Sequence, residues 1–328
     1  MAQKRFHNKD TVAVGMAFDD QSIALAKQAH TLAQKTGTKL RLVHVCEPWL
    51  SDTYSHSLGY HTTLGDVSAA IETSTVEIAS NRLDEVINQL GSGVTVEKNV
   101  ISSGSVAESL AADALVSGTW LTLMSFRGKA NWLMPAGWST ALALMHASDT
   151  PVMIVPEDAK LDLSKNSLEL LLADDLVDTS QPAVEFGFDL ARRLPSLKIN
   201  HLHVCGVTAE NLGAALEQAI ATSHSTISND VSSDSLLKDI DMRLANSMQQ
   251  RAAEYLSQLD QGSKRYQTTI RNGEVREELN RMVEKSDPDL LVFGRHQSFH
   301  RKPFLLGRIP FHVMLSQGRA VVMVPNPR

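Results

Sequence analysis

A chain of 328 residues with 43% hydrophobic and 21% charged residues has the make-up of an ordinary globular protein, and its length suits two units of about 160 residues, each large enough for a core of its own. A formal charge of −6 and a pI near 6.1 argue against a general nucleic-acid binder, because neutralising phosphates takes a basic face. No apolar run approaches the roughly 18 residues that cross a bilayer, and the basic start is followed by no apolar h-region or cleavage site, so neither membrane insertion nor export is expected.

In chain order, residues 11–14 are a short β run. Residues 21–35 carry Ile23, Ala24, Ala26, Leu32 and Ala33 at the spacing of an amphipathic helix. Residues 40–46 read as a strand. A loop rich in Ser, His and Thr over 51–63 leads into a long helix, 66–90, with Val67, Ile71, Ile78, Val86 and Leu90 on its apolar face; Gly91-Ser92-Gly93 stops it. Residues 94–101 alternate and are β-branched, which predicts a strand. A helix over 106–115, a strand over 120–124, a helix over 139–146 and a strand over 152–155 complete the first part.

The second part repeats this order. Strands are predicted over 168–173, 198–205, 266–271, 289–293 and 320–324, and helices over 182–194, 236–259 and 275–285. The stretch 208–234 reads as a polar loop, and 157–167, with its Asp, Lys and Ser, as a linker. Alternating strands and helices need crossover connections, which give a parallel sheet covered on both faces. The copying is visible residue by residue: Leu42-Val43-His44-Val45-Cys46 recurs as His201-Leu202-His203-Val204-Cys205, and Pro151-Val152-Met153-Ile154-Val155-Pro156 as Ala320-Val321-Val322-Met323-Val324-Pro325. The cysteines occupy matched positions after strand-like runs, so buried thiols are expected rather than a disulfide.

Order and punctuation together resemble the universal stress protein family in its tandem form. The residues that carry the likeness are Arg271-Asn272-Gly273-Glu274, then Asp287-Pro288-Asp289-Leu290-Leu291-Val292-Phe293-Gly294-Arg295-His296, then the closing Val321-Val322-Met323-Val324-Pro325. The resemblance implies two doubly wound α/β domains, 1–158 and 166–328, each a five-stranded, mainly parallel sheet with helices on both faces. It also implies pairing of the two copies through residues 152–155 and 321–324 as a pseudo-dimer within one chain, with room for a homodimer beyond that. The function implied is a cytoplasmic stress response of a non-enzymatic or ligand-sensing kind.

ATP-binding members of that family carry an Asp at the end of the first strand and a loop of Gly, two residues, Gly, nine residues, Gly and Ser or Thr. Glycines let backbone amides approach phosphate oxygens, and the following helix points its positive end at them. The second copy reads Gly294, Arg295-His296, Gln297, nine residues, Gly307 and Arg308, with Asp174 at the first-strand position. Asp174, Gly294, Arg295, Gly307 and Arg308 are therefore the candidate contacts for ATP, a related nucleotide or another anion. Gln297 brings a Cβ to the middle glycine position and Arg308 replaces the hydroxyl, while Arg295, Arg301, Lys302 and Arg308 gather positive charge. The first copy reads Ser125, Phe126-Arg127, Gly128, nine residues, Trp138 and Ser139, with Met16 in place of the aspartate, so it is expected to have lost nucleotide binding. A weak ATP hydrolase built on the second copy and an interaction module that binds no nucleotide are the alternatives.

The other candidates have plainer explanations. His296, His300 and His312 fall in a span predicted to be a loop, broken by Pro303 and Pro310, and no metal site is expected there. His44 and His203 lie inside strands, as hydrogen-bonded sheet histidines do. No Gly-x-Ser-x-Gly elbow places a nucleophile, and no catalytic residue is assigned. The apolar stretches Trp132-Leu133-Met134-Pro135 and Phe304-Leu305-Leu306 either pack beneath their own loops or line an opening for a hydrophobic ligand.

Overall fold

The computed structural model describes residues 6–46, 62–102, 104–127, 140–222, 232–295 and 308–326. Five strands come from the first repeat: β1 (Thr11–Gly15), β2 (Lys39–Val45), β3 (Val96–Ile101), β4 (Thr119–Phe126) and β5 (Val152–Pro156). Five come from the second: β6 (Leu168–Ala173), β7 (Leu197–Cys205), β8 (Tyr266–Asn272), β9 (Leu290–Arg295) and β10 (Ala320–Pro325). The described residues form one ten-stranded sheet in the order β3-β2-β1-β4-β5-β10-β9-β6-β7-β8. Within each repeat all neighbours are parallel. Only the central pair is antiparallel, with Val321 opposite Ile154, Val322 opposite Met153 and Met323 opposite Val152.

The helices are α1 (Asp20–Thr36), α2 (Thr62–Gln89), α3 (Val106–Val116), α4 (Thr140–Ala147), α5 (Gln181–Arg193), α6 (Ala209–Thr222), α7 (Ser233–Leu256), the single turn α8 (Gly262–Arg265), α9 (Val275–Ser286) and α10 (Arg308–Gln317). Local chemistry explains their limits. Asp19 caps α1 by accepting from Ser22 N–H at 2.6 Å while Ser22 Oγ accepts from Asp19 N–H at 3.2 Å, and Gly37 closes the helix in the left-handed region at φ 65°.

Two helices differ from expectation. The stretch predicted as a polar loop over 208–234 contains α6, which Thr208 and Asn211 cap reciprocally at 2.7 and 3.3 Å. Its Ala- and Leu-rich interior is helix-forming, a signal diluted by the Ser and Thr that follow. Residues 308–317, read as part of a loop, form α10. Pro310 sits in its first turn, where a missing N–H costs nothing.

Both faces of the sheet are covered, which is why LELLLA of β6 and AVVMVP of β10 are nearly continuous apolar runs. Alternate residues feed two layers. One contains Val12, Leu40, Trp120, Leu170, Phe186 and Val322; the other contains Val43, Leu144, Leu171, Leu279, Met314 and Val321. Each layer runs through both repeats, so the expected separate cores give way to two shared ones, because the β5–β10 pairing makes one sheet of two.

Polar contacts reinforce the junction. Trp120 Nε1 on β4 donates to Asp189 Oδ2 on α5 at 2.9 Å, and Arg193 Nε donates to the same oxygen at 2.9 Å while its guanidinium lies 4.5 Å from the Trp120 ring centre. Arg193 Nη2 also donates to the carbonyls of Phe6 and Lys9. The predicted linker is fastened rather than loose: Leu163 is fully buried, its N–H donates to Gln28 Oε1 at 2.9 Å, and Lys35 Nζ caps the carbonyls of Ser164 and Lys165. Among the described residues no helix is long and apolar enough to cross a membrane.

Candidate functional site

Strand order in the second repeat reverses between β6 and β9, which leaves a crevice beyond their carboxyl ends, the place where open α/β sheets hold ligands. A cavity of about 320 Å³ lies there. Leu202 and Val204 of β7, Phe293 of β9, Leu279 of α9, Ile309 of α10 and Met323 of β10 supply its carbon walls, and Asp174, Asp175, Ser180 and Gly294 line its other side.

Asp174 follows β6 directly, and its side chain is 0% exposed. Its Oδ1 accepts from Leu176 N–H at 2.9 Å, from Ser180 Oγ at 2.5 Å and from Arg251 Nη2 at 3.4 Å. Its Oδ2 accepts from Arg251 Nε at 3.0 Å and faces His201 Nε2 at 3.0 Å. A carboxylate can only accept, so His201 donates through Nε2; its Nδ1 meets the Tyr266 hydroxyl at 2.8 Å. Burial alone would push the Asp174 carboxyl up, but the bonds from His201, Ser180 and Leu176 outweigh it and hold the group down at about 2. Burial, then the Asp174 charge, pushes the Tyr266 hydroxyl well above the usual phenol range. Arg251 reaches across from α7 and also donates to Val177 O at 3.0 Å, clamping the turn that follows β6.

Gly294 meets this turn from β9. A Cβ built there would lie 3.1 Å from Ser180 Cα and 3.4 Å from Thr179 O, so glycine is needed for the strand and the turn to touch. Arg295 points away from the cavity toward the first repeat. Its Nη1 donates to Met145 O at 2.7 Å, His146 O at 2.9 Å and Ser148 O at 2.8 Å, capping the carboxyl end of α4. Gly307 lies outside the described residues; Arg308 opens α10, and its side chain is outside them too. The structure thus brings Asp174 and Gly294 to the cavity and directs Arg295 elsewhere.

A universal stress protein family model matches residues 9–156 and, a second time, residues 169–325. The chain belongs to the universal stress protein family. No curated protein matches it. Among solved structures it is similar to a universal stress protein from Archaeoglobus fulgidus DSM 4304, at 12% identity over 98% of this chain and 100% of that one, with a TM-score of 0.63. It is also similar to a functionally unknown protein from Pseudomonas aeruginosa PAO1, at 14% identity over 98% of this chain and 95% of that one, with a TM-score of 0.53. At such identities these likenesses establish the fold.

In the first universal stress protein repeat, Met16 fills the position of Asp174 and is buried. The repeat-matched histidines do the same job in both copies: His44 Nδ1 meets Met16 O at 2.8 Å, and His203 Nδ1 meets Asp174 O at 2.9 Å. Gly128, Trp138, Ser139 and the stretch Trp132–Pro135 lie outside the described residues, as do His296, His300 and the stretch Phe304–Leu306. His312 is exposed on α10, and no metal-binding cluster occurs among the described residues.

Asp289, in the family-like Asp-Leu run, lies at the opposite end of the sheet. It accepts from Glu169 N–H at 2.9 Å and from Lys165 at 2.5 Å, joining β9 to β6. Sequence reasoning missed Ser180, His201, Arg251 and Tyr266. One signal was available: His201 stands where the first copy has Leu42, a polar residue in a buried run. Arg251 looked like any other charge on a helix until α7 was placed against the turn.

Proposed function

We propose that this universal stress protein is a non-catalytic, cytoplasmic stress-response protein made of units 1–158 and 166–328, joined as a pseudo-dimer, whose second unit senses a small ligand. The observation that carries this reading is the cavity of about 320 Å³ at the β6–β9 switch point, within the size range of ligand sites. Binding without turnover fits the state of Asp174, whose carboxylate is enclosed and hydrogen-bonded and has no open position for a reacting water. The first unit serves as the structural partner, with Met16 in place of an acidic ligand. Both cysteines are unpaired, as in a reducing compartment.

A nucleotide or other anion, which the family likeness implies, would have to be held through Gly307 and Arg308, since the bonds of Asp174 and Arg295 run elsewhere. Native mass spectrometry of freshly purified protein, with chromatography of a heat extract, tests the ligand-sensing reading. A small molecule released in stoichiometric amount is expected. A clean apoprotein that binds no added nucleotide or apolar compound would favour an interaction module.

A further inference from the structure

The polar side of the second-repeat cavity is already satisfied from within the protein. The Asp174 carboxylate is enclosed by Leu176, Ser180, His201 and Arg251, and the Ser180 hydroxyl is held between Asp174 Oδ1, Val177 O at 2.7 Å and Arg251 Nη2 at 3.1 Å. The two nearby described cations are likewise engaged, Arg251 on that carboxylate and Arg295 on the α4 carbonyls. Asp175, exposed at the rim, adds negative charge. The remaining walls, Leu202, Val204, Leu279, Phe293, Ile309 and Met323, are carbon and sulfur.

An anion entering this space would shed water and find no free side-chain counter-charge among the described residues, which is unfavourable. An uncharged apolar group would lose nothing and bury its surface against those walls. We propose that the cavity takes a neutral, predominantly aliphatic or aromatic small molecule and not a nucleotide, an inference that rests on the second unit holding a ligand at all.

The test titrates the full-length protein with the neutral fluorophore phenylnaphthylamine, alone and against excess ATP, and repeats this for Val204→Phe and Ala173→Leu. Both substitutions fill the cavity from half-buried wall positions, and circular dichroism of each checks folding. Fluorophore binding that ATP leaves unchanged and that falls about tenfold or more in either folded variant is the expected result. Displacement by ATP, with ATP affinity weakened by the same substitutions, would overturn the ligand class and leave ligand sensing standing. Fluorophore binding unaltered in both variants would place it elsewhere and overturn the inference. Binding of neither compound would overturn the inference and the ligand-sensing reading together.

Discussion

Asp174 shows how a residue type can persist while its partners redefine it. Its folded carboxyl titrates at about 2 against 3.8 as an unperturbed group, so the folded state prefers the charged form. The resulting stabilisation is fully present above about pH 4, and protonation removes it as pH falls toward about 2; a shift of this size corresponds to about 2 kcal/mol. Urea unfolding between pH 5 and 2 is expected to show this loss in the wild type and a flatter profile in Asp174→Asn. At neutral pH Asp174→Ala should cost about 3–5 kcal/mol, because it removes the acceptor shared by the fully buried His201 and the partly buried Arg251 guanidinium. An Ala variant as stable as wild type would mean that Arg251 finds water or another acceptor. Gly294→Val makes a separate demand, since its branched side chain must displace the Thr179–Ser180 backbone; a loss of about 1–3 kcal/mol in chemical denaturation is expected.

At the level of elements, α4 and β9 are coupled through one side chain. Arg295 satisfies three carbonyls at the end of α4, and Asn326 Nδ2 holds the Arg295 carbonyl at 2.7 Å, so the last residue of β9 is fixed on its own repeat through the backbone and on the first repeat through its side chain. Arg295→Met keeps most of the packing stem but removes the donors. Hydrogen exchange in that variant should speed up in the last turn of α4, in the other repeat, more than in α9, which precedes β9 in its own repeat. Equal protection in α4 would show that the carbonyls do not depend on this cap. The same logic explains α7: its length matters because Arg251, near its carboxyl end, must reach the turn after β6.

For the whole molecule, the antiparallel β5–β10 pair turns two five-stranded sheets into one, and both apolar layers cross it. Calorimetry of the full chain should therefore show a single cooperative transition. Asp189→Ala, which removes the acceptor shared by Trp120 and Arg193, should lower its midpoint; two resolved transitions in the wild type would contradict shared cores. The alternation of strands and helices, and the repeat itself, were legible along the chain because hydrophobic periodicity and turn residues are local properties. The family likeness could likewise be recognised from Gly273, Asp289 and Gly294. The partners of Asp174 could not, since His201, Arg251 and Tyr266 lie far from it in sequence and meet it only once β7, α7 and β8 are stacked. Nor could the direction of Arg295, a cation that reads as a phosphate contact by position and becomes a helix cap because the other repeat ends α4 beside it. Pattern along a chain reports burial and backbone habit, whereas the meaning of a charged side chain depends on which distant groups folding places within its reach.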